Sequence, residues 1–289
     1  MKTDIMLNRN WPSITVNCIR AMQRYRNWPE ILASMAKKQY PAHLILKDGT
    51  QFELAGGWKW RGQVEKIFFE NDYLPAPLHI KPNDVVVDVG AHVGVFAIFA
   101  ASMTHNKVYA FEPFPSNYEI LAKTVAINGL KQIIPQQAAV SDKVGTAALQ
   151  LSPISSTRHF LSDSKILQTL EDYQTRSESF PFAKVMPGEL KDTLEVPTMT
   201  LPEIIDKNHI EQIGFLKLNC EGAEGLILNA TPNKYLKKIR QIYLHFHKHL
   251  SPTDPNEMRK RLEEAGLITI LEWDGESPLG HIYGWRDCD

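Results

Sequence analysis

From residue 84 onward, short apolar runs alternate with stretches in which apolar residues follow helical spacing. A continuous apolar run is typical of a strand buried on both faces of a parallel sheet. The predicted strands are residues 84–89, 107–111, 133–140, 213–218 and 239–245, with a closing antiparallel hairpin at 267–273 and 281–285. The predicted helices are residues 93–103, 116–128, 202–208 and 255–265. This alternation predicts an α/β fold with a doubly wound, mostly parallel sheet that binds its ligand at the carboxyl ends of the strands.

The first part of the chain follows a different pattern and predicts an N-terminal extension, residues 1–77. Residues 1–40 are helical and loosely amphipathic in pattern. Residues 43–54 predict a β-hairpin that turns at Gly49, because glycine accepts the positive φ of a tight turn. Residues 78–289 are therefore predicted to form the main domain.

The charge and cysteine content narrow the class of protein. The 289 residues carry 32 Lys and Arg against 33 Asp and Glu, whereas a polyanion-binding protein usually has a basic excess, so nucleic acid is not expected as a partner. The three cysteines are scattered, with neither a disulfide framework nor zinc-ligand spacing. The longest apolar run, residues 93–103, is too short to cross a bilayer, and residues 1–10 lack the apolar segment of a secretion signal. We therefore expect a cytoplasmic protein with no membrane span.

The glycine loop, residues 90–94, is the sharpest motif. It leads directly from an apolar strand into a predicted helix, and Gly90 allows a sharp turn close to a ligand while Gly94 allows close packing at the helix start. Glu112 follows the second strand, where an acidic side chain can accept both ribose hydroxyls of a nucleoside. Together these residues predict a nucleoside-binding site.

Three interpretations of this strand, loop and helix compete: a dinucleotide site, an S-adenosylmethionine site and a turn with no ligand. A dinucleotide oxidoreductase or epimerase would show G-x-G-x-x-G, which requires glycine at position 92, and this chain has His92 in a G-x-x-x-G loop. It also lacks a convincing Tyr-x-x-x-Lys pair. The bulkier turn disfavours a pyrophosphate and is compatible with S-adenosylmethionine, which has no phosphate. The third hypothesis is an ordinary βα turn in a flavodoxin-like domain.

Several motifs in a fixed order resemble the FkbM family of methyltransferases. They are Asp-Val-Gly-Ala-His-Val-Gly at 88–94, Phe-Glu-Pro-Phe-Pro-Ser-Asn at 111–117, Asn-Gly-Leu at 128–130, Ala-Ala-Val-Ser-Asp at 138–142, Val-Pro-Thr-Met-Thr-Leu at 196–201 and Leu-Lys-Leu-Asn-Cys-Glu-Gly-Ala-Glu at 216–224. The resemblance covers residues 84–250. It implies a class I, Rossmann-like methyltransferase fold with a seven-stranded sheet, S-adenosylmethionine as cofactor, and O-methylation of a hydroxyl on a small molecule, sugar or glycan.

The same resemblance implies which residues bind the cofactor. Gly90, Ala91 and Gly94 should line its methionine part, Glu112 should bind the ribose, and Asn117 should lie near the ribose and adenine. The complete set implied by the resemblance is Tyr73, Asp88, Gly90, Ala91, Gly94, Glu112, Asn117, Ala138 and Asn219.

The acceptor side of the site is predicted on two neighbouring strands, residues 213–218 and 239–245. Methyl transfer to a hydroxyl needs proximity and often a base that takes the hydroxyl proton. The catalytic candidates are Lys217, Glu221, His245 and His247. An ion pair between Lys217 and Glu221 is the structural alternative, and Glu224 is expected to cap the helix that it opens. A His-x-His pair can also hold a metal, but no bound metal is predicted.

Three residues depart from the family pattern. Asn219 stands where the family has Asp, Pro202 replaces the first acid of a Thr-Leu-Asp-Asp pattern, and His245 stands where Glu commonly precedes the family histidine, which is His247 in this chain. All three changes remove negative charge, and one hypothesis is that an imidazole replaces a carboxylate base. The alternative is a non-catalytic cofactor-binding or scaffold protein on a methyltransferase fold.

Residues 152–196 are the predicted acceptor-recognition insert or lid. They are rich in Ser, Thr, Pro and charge and include Arg158, His159 and Tyr173, which could hold a sugar-like acceptor; a solvated loop is the alternative. A small-molecule or glycan acceptor is therefore the expected partner. A homo-oligomer contact, if one forms, is expected at residues 1–40.

Overall fold

The computed structural model describes residues 14–37, 41, 43–53, 59–151, 159–176 and 192–287. Their contacts group the chain into two compact units, residues 1–65 and 66–289. The domain boundary expected near residue 77 stays a prediction. No helix in the described ranges is both long and apolar enough to cross a bilayer.

The N-terminal unit contains the predicted helices and hairpin. Its elements are α1 Ile14–Arg24, α2 Trp28–Ala36, β1 His43–Ile45, β2 Gln51–Glu53 and α3 Lys59–Val64. A π-helical turn, Glu65–Phe69, begins at the last residue of this unit and continues into the larger one. The two strands pair antiparallel across a turn in which Gly49 has φ 102°. Tyr25 is fully buried, and its hydroxyl donates to Glu65 Oε1 at 2.7 Å. This hydrogen bond links the end of α1 to the end of α3.

The larger unit alternates strands and helices. Its strands are β3 Val86–Val89, β4 Val108–Phe111, β5 Ile133–Gln136, β6 Ala139–Val140, β7 Gly145–Gln150, β8 Phe160–Leu161, β9 Thr193–Met199, β10 Phe215–Leu218, β11 Gln241–His247, β12 Ile268–Glu272 and β13 Leu279–Trp285. Its helices are α4 Val95–Met103, α5 Pro115–Ile127, α6 Ser164–Arg176, α7 Leu201–Lys207, α8 Glu224–Ala230, α9 Asn233–Leu236 and α10 Pro255–Glu264. Most predicted bounds are shifted by a residue or two.

Seven strands form the central sheet, in the order β12-β13-β11-β10-β3-β4-β5. Neighbouring strands run parallel except around β13, which is antiparallel to both β11 and β12. This order confirms the predicted doubly wound, Rossmann-like methyltransferase fold with its closing hairpin. The chain passes from β3 to β4 on one side and returns to β10 on the other, so the strand order reverses beside β3. A crevice for a ligand is expected at the carboxyl ends of strands at such a reversal.

The continuous apolar runs of the sequence form the elements that are buried on all sides. Every residue of β3 is buried, including Asp88, and most of α4 is buried as well. A helix that is apolar on all sides is typical of the interior of a protein rather than its surface. The glycine loop thus leaves a buried strand and enters a buried helix, which fixes both of its ends.

The predicted strand 133–140 is wrong as a single element. The chain leaves the central sheet after β5, and exposed Gln137 separates it from β6, which pairs with β9 in a second sheet. The β5 segment contains Pro135, which cannot donate to a neighbouring strand. Its place at the edge of the central sheet tolerates the missing donor.

A second sheet, of order β6-β9-β7-β8, was not predicted. The β7 segment has no clear alternation of apolar and polar residues, and the region 152–196 was expected to be irregular. Its described part instead holds β8, α6 and most of β9, while 152–158 and 177–191 lie outside the described residues. Side chains of this sheet join the same buried cluster as the central sheet. They include Leu149, Phe160 and Val196.

The stability contribution of the second sheet can be measured with the change Leu149→Ala. Leu149 is 1% exposed, so its truncation should lower the free energy of unfolding by about 2–5 kcal/mol in urea denaturation. Val144 is 60% exposed, and Val144→Ala is the matched control, expected within about 0.5 kcal/mol of the unmodified protein. Equal effects of the two changes would mean that the second sheet does not share the core.

Candidate active site

The glycine loop is hydrogen-bonded to the end of β4 and packs against the turn after β10. The N–H groups of Gly90 and Ala91 both donate to the Phe111 carbonyl, at 3.0 and 2.9 Å. Gly90 has φ 73°, and a Cβ at this position would lie 1.9 Å from the Asn219 carbonyl oxygen. No residue other than glycine fits there. The predicted sharp turn at Gly90 therefore exists, and it brings the loop against Asn219.

Gly94 has a different neighbour from the one its motif suggested. It has φ 86° at the start of α4, and a Cβ there would lie 2.3 Å from Leu121 Cδ1 of α5. Among the described residues, the close approach that Gly94 permits is between the two helices that follow β3 and β4. Its role in lining a ligand stays a prediction.

Glu112 is buried beside the loop and is held by three donors. Its Oε2 accepts from the His92 N–H at 2.8 Å, and its Oε1 accepts from the Phe114 N–H and from Asn117 Nδ2, both at 3.1 Å. Burial raises the pKa of Glu112 to about 7, although the three hydrogen bonds favour the ionised form. The structure thus brings the predicted residues Glu112 and Asn117 together at the carboxyl end of β4.

Lys217 is buried in the centre of the sheet, and its partner is Asp88. Nζ donates to Asp88 Oδ1 at 2.9 Å, to the Gly90 carbonyl at 2.7 Å and to the Val89 carbonyl at 3.3 Å. Burial favours the neutral amine, but Asp88, with smaller contributions from Tyr73 and Cys220, raises the pKa of Lys217. Lys217 therefore stays charged and holds the start of the glycine loop.

The structural alternative of an ion pair between Lys217 and Glu221 is wrong, because Lys217 pairs with Asp88 and Glu221 pairs with His247. The register of the sheet places Lys217 directly beside Asp88 of β3. The strand β10 ends at Leu218, and the chain has turned by Glu221, which has φ 53°. The strand-like alternation that would have kept Lys217 and Glu221 on one side does not extend that far.

Tyr73 and Asn219 meet next to this ion pair. Asn219 Nδ2 donates to the Tyr73 hydroxyl at 3.1 Å, and the Tyr73 ring packs edge-on against Phe96 and Tyr243 with centroids 5.3 and 5.0 Å apart. The other amide atom, Asn219 Oδ1, is buried and has no hydrogen-bond partner among the described residues. A buried polar atom without a partner is costly, which makes it a candidate contact for a ligand donor.

Glu221, His247 and Glu224 form a cluster that we call the carboxylate–imidazole cluster. His247 Nδ1 lies 3.0 Å from Glu224 Oε1, and Nε2 lies 3.2 Å from Glu221 Oε1. Burial alone would lower the pKa of His247, but the two carboxylates outweigh it and raise the pKa to about 10. His247 is therefore an imidazolium at neutral pH, which argues against its predicted role as a base.

Glu224 does not cap the helix that it opens. The helix α8 has no side-chain cap at Ala223, and the Glu224 carboxylate instead accepts from the N–H groups of Cys220 and Gly222, both at 3.0 Å. Glu224, expected only as a helix cap, is therefore part of the candidate site. Its spacing of three from Glu221 across a glycine was the available signal, because a tight turn can bring two such carboxylates together.

A row of imidazoles continues from the carboxylate–imidazole cluster across β11 and β13. The half-buried His245 ring lies 4.8 Å from His247 and 4.6 Å from His281, and the Tyr243 hydroxyl lies 2.7 Å from His281 Nδ1. Burial, and then the charge on His247, lower the pKa of His245 to about 2, so His245 is neutral. His281 was not predicted as a site residue; the antiparallel pairing of β11 with β13 places it opposite His245.

The predicted acceptor insert reaches this end of the sheet at its described start. The His159 ring lies 4.2 Å from the Phe114 ring, at the carboxyl end of β4. Arg158 lies outside the described residues, as does the side chain of Tyr173. Ala138 is buried in the link between β5 and β6. The assignment of these residues to ligand binding stays a prediction.

Residues 88–268, more than half of the chain, match the family described as the methyltransferase FkbM domain. The chain belongs to the FkbM family of methyltransferases. The match begins at Asp88 and includes the glycine loop, Glu112, Lys217 and the carboxylate–imidazole cluster. The resemblance seen in the sequence motifs is thereby confirmed.

Two relatives and one solved structure illustrate the similarity. The 31-O-demethyl-FK506 methyltransferase FkbM of Streptomyces tacrolimicus is 29% identical over 192 residues, which cover 63% of this chain and 72% of that protein. The methyltransferase sdnD of Sordaria araneosa is 25% identical over 207 residues, covering 69% and 77%. The methyltransferase FkbM structure from Methylobacillus flagellatus KT aligns at a TM-score of 0.48 with 13% identity, over 77% of this chain and 48% of that one. This FkbM-family chain thus spans about half the length of that protein, and its fold is assigned from its own strand order.

The ion pair between Lys217 and Asp88 can be tested with the change Lys217→Met. This change leaves a buried carboxylate without its partner, so the free energy of unfolding should fall by roughly 3–5 kcal/mol. Adding Asp88→Asn should restore part of the loss, because the uncompensated charge is removed. Lys260→Met is the control, since the pair that Lys260 forms with Glu264 at 4.0 Å is exposed and its loss should cost less than about 1 kcal/mol. A Lys217→Met protein as stable as the control would contradict the assigned role.

Proposed function

We propose that this FkbM-family methyltransferase uses S-adenosylmethionine to methylate a hydroxyl of a small molecule or glycan. The observation that carries the proposal is the buried Glu112 carboxylate beside a glycine loop at the reversal point of the sheet. Bound S-adenosylmethionine supplies an activated methyl group. The relative from Streptomyces tacrolimicus is named as a 31-O-demethyl-FK506 methyltransferase, and an oxygen acceptor on a small molecule is proposed for this chain by extension.

The residues at the glycine loop have the chemistry needed for a nucleoside with an amino-acid tail. Glu112 Oε2 accepts only the His92 N–H among the described residues and so has a lone pair available for a ribose hydroxyl. Asn219 Oδ1 is a buried acceptor without a described partner, which suits an ammonium group. Gly90 has no side chain, so its backbone can approach a ligand closely. Lys217 and Asp88 hold this loop in place and need no contact with the ligand.

On the acceptor side, the exposed part of the carboxylate–imidazole cluster is the candidate contact. A hydroxyl must lose its proton as it is methylated, and a carboxylate or neutral imidazole within hydrogen-bond reach can take or orient it. Glu221 of this cluster and the adjacent His245 are two partly exposed groups of this kind. His245 stays neutral and can accept a hydrogen bond from an acceptor hydroxyl.

Two of the departures from the family pattern have local structural explanations. Pro202 lies in the first turn of α7, where the missing N–H removes no helical hydrogen bond, and Thr200 caps this helix by accepting from the Glu203 N–H at 3.3 Å. Asn219 donates to Tyr73, which an ionised aspartate could not do. These changes are therefore compatible with an intact site.

Binding of S-adenosylhomocysteine as a function of pH tests the cofactor proposal. Because the ribose hydroxyl donates to ionised Glu112, affinity should be highest above pH 7 and should weaken toward tenfold per pH unit as the carboxylate becomes protonated below about 7. Isothermal titration calorimetry should show weaker binding without this pH dependence in Glu112→Gln. The control Glu119→Gln, an exposed residue of α5, should bind as the unmodified protein does. Absence of binding by the intact protein would contradict the proposal.

Turnover separates an enzyme from a scaffold on the same fold. The protein should release S-adenosylhomocysteine from S-adenosylmethionine when it is incubated with a panel of hydroxylated small molecules and sugars, above the rate without acceptor. Retained cofactor binding with no turnover on any acceptor would favour the non-catalytic alternative.

A further inference from the structure

The carboxylate–imidazole cluster has a division of roles that deepens the proposed function and rests on it. We propose that His247 is a permanently charged positioning residue, anchored by Glu224, that orients Glu221, and that Glu221 takes the proton of the acceptor. In this step the acceptor oxygen forms a bond to the methyl carbon, the carbon–sulfur bond breaks with its electron pair left on sulfur, and the hydroxyl proton passes to the Glu221 carboxylate.

The charge on His247 follows from its two contacts. Each ring nitrogen faces a carboxylate oxygen, Glu224 Oε1 at 3.0 Å and Glu221 Oε1 at 3.2 Å. Ionised carboxylates only accept hydrogen bonds, so both nitrogens must carry a proton. Either neutral tautomer would place a nitrogen lone pair against a carboxylate oxygen. A ring that needs both protons for its contacts cannot also accept the proton of an acceptor.

Glu224 is the fixed end of the cluster. Its side chain is fully buried, and its two oxygens accept from the N–H groups of Cys220 and Gly222 in addition to His247. Backbone donors cannot rotate away, so they hold the carboxylate in one orientation. Glu224 therefore fixes the His247 ring and has no exposed surface with which to reach an acceptor.

Glu221 is the exposed end of the cluster. Its side chain is 20% exposed, compared with 5% for His247 and 0% for Glu224. Glu221 has φ 53° and the following Gly222 has φ 100°, where an added Cβ would lie 2.6 Å from Leu250 Cβ. A glutamate with positive φ is strained, and such strain is commonly retained at functional sites. The strained turn directs the Glu221 side chain toward His247.

Among the titratable groups around His247, the two glutamates favour its protonated form and the neighbouring imidazoles are neutral. These groups are Glu221 and Glu224 from the turn and α8, His245 on β11, His249 just after β11, and His281 on β13. Burial, followed by the charge on His247, lowers the pKa of His245 to about 2 and that of His249 to about 4. Burial also lowers the pKa of His281. The cluster is thus one cation between two anions with neutral imidazoles around it.

Nitrogen NMR of the 15N-histidine-labelled full chain, recorded without cofactor, tests this proposal. At about pH 8.5, two units above the ordinary imidazole pKa, one of the ten imidazoles should still carry protons on both nitrogens. The His247→Gln protein should lack this signal. Glu221→Gln and Glu224→Gln should each lower its titration midpoint by about one pH unit or more, because each removes one of the two carboxylates. Glu263→Gln, on the exposed face of α10, is the matched control and should leave the signal unchanged.

Two results would overturn the proposal. The first is a His247 signal that titrates near the ordinary imidazole pKa in the unmodified protein. The second is a Glu221→Gln protein in which the His247 titration is unchanged, since Glu221 would then not contact the ring. Because Glu221 is partly exposed, Glu221→Gln is expected to fold. It therefore tests the proposal even if Glu224→Gln does not fold. Because no cofactor is present, the outcome is independent of the calorimetric test of the proposed function.

Discussion

The buried ion pair between Lys217 on β10 and Asp88 on β3 is the constraint on which the rest of the site depends. Charges at the centre of a sheet are tolerated only when their partners and hydrogen bonds are complete, because desolvation costs several kcal/mol per ion. Lys217 meets this condition by donating to Asp88 and to the carbonyls of Val89 and Gly90. The ion pair therefore fixes the start of the glycine loop relative to β10. The ion pair therefore also positions the turn after β10, which carries Asn219 and Glu221.

The remaining charges divide the site into two regions. On one side Glu112 is held by His92, Phe114 and Asn117, with a pKa raised by burial to about 7. On the other side the carboxylate–imidazole cluster keeps two anions and one cation in contact. The first region has the chemistry of a nucleoside site, and the second has a partly exposed carboxylate fixed in orientation. Both regions lie within the part of the chain that matches the methyltransferase FkbM domain.

The sequence predicted the features that depend on local pattern and order. The apolar runs predicted the central sheet, and the motif from Asp88 to Gly94 predicted the sharp loop. Contacts that depend on register or on a turn were not predictable. The partner of Lys217 is set by the pairing of β10 with β3, and Glu224 was missed because its contacts require the turn at Gly222. The second sheet was missed because β7 lacks alternation, and its stability comes from the shared core.

The position of a bound nucleoside can be measured in a crystal structure of the full chain with S-adenosylhomocysteine. We expect a ribose hydroxyl hydrogen-bonded to Glu112 Oε2, with the ligand lying along the glycine loop. We also expect the Lys217 contacts to Asp88 and Gly90 to be unchanged by the ligand. A ligand bound elsewhere, or a Glu112 carboxylate without contact to the ribose, would contradict the proposed cofactor site.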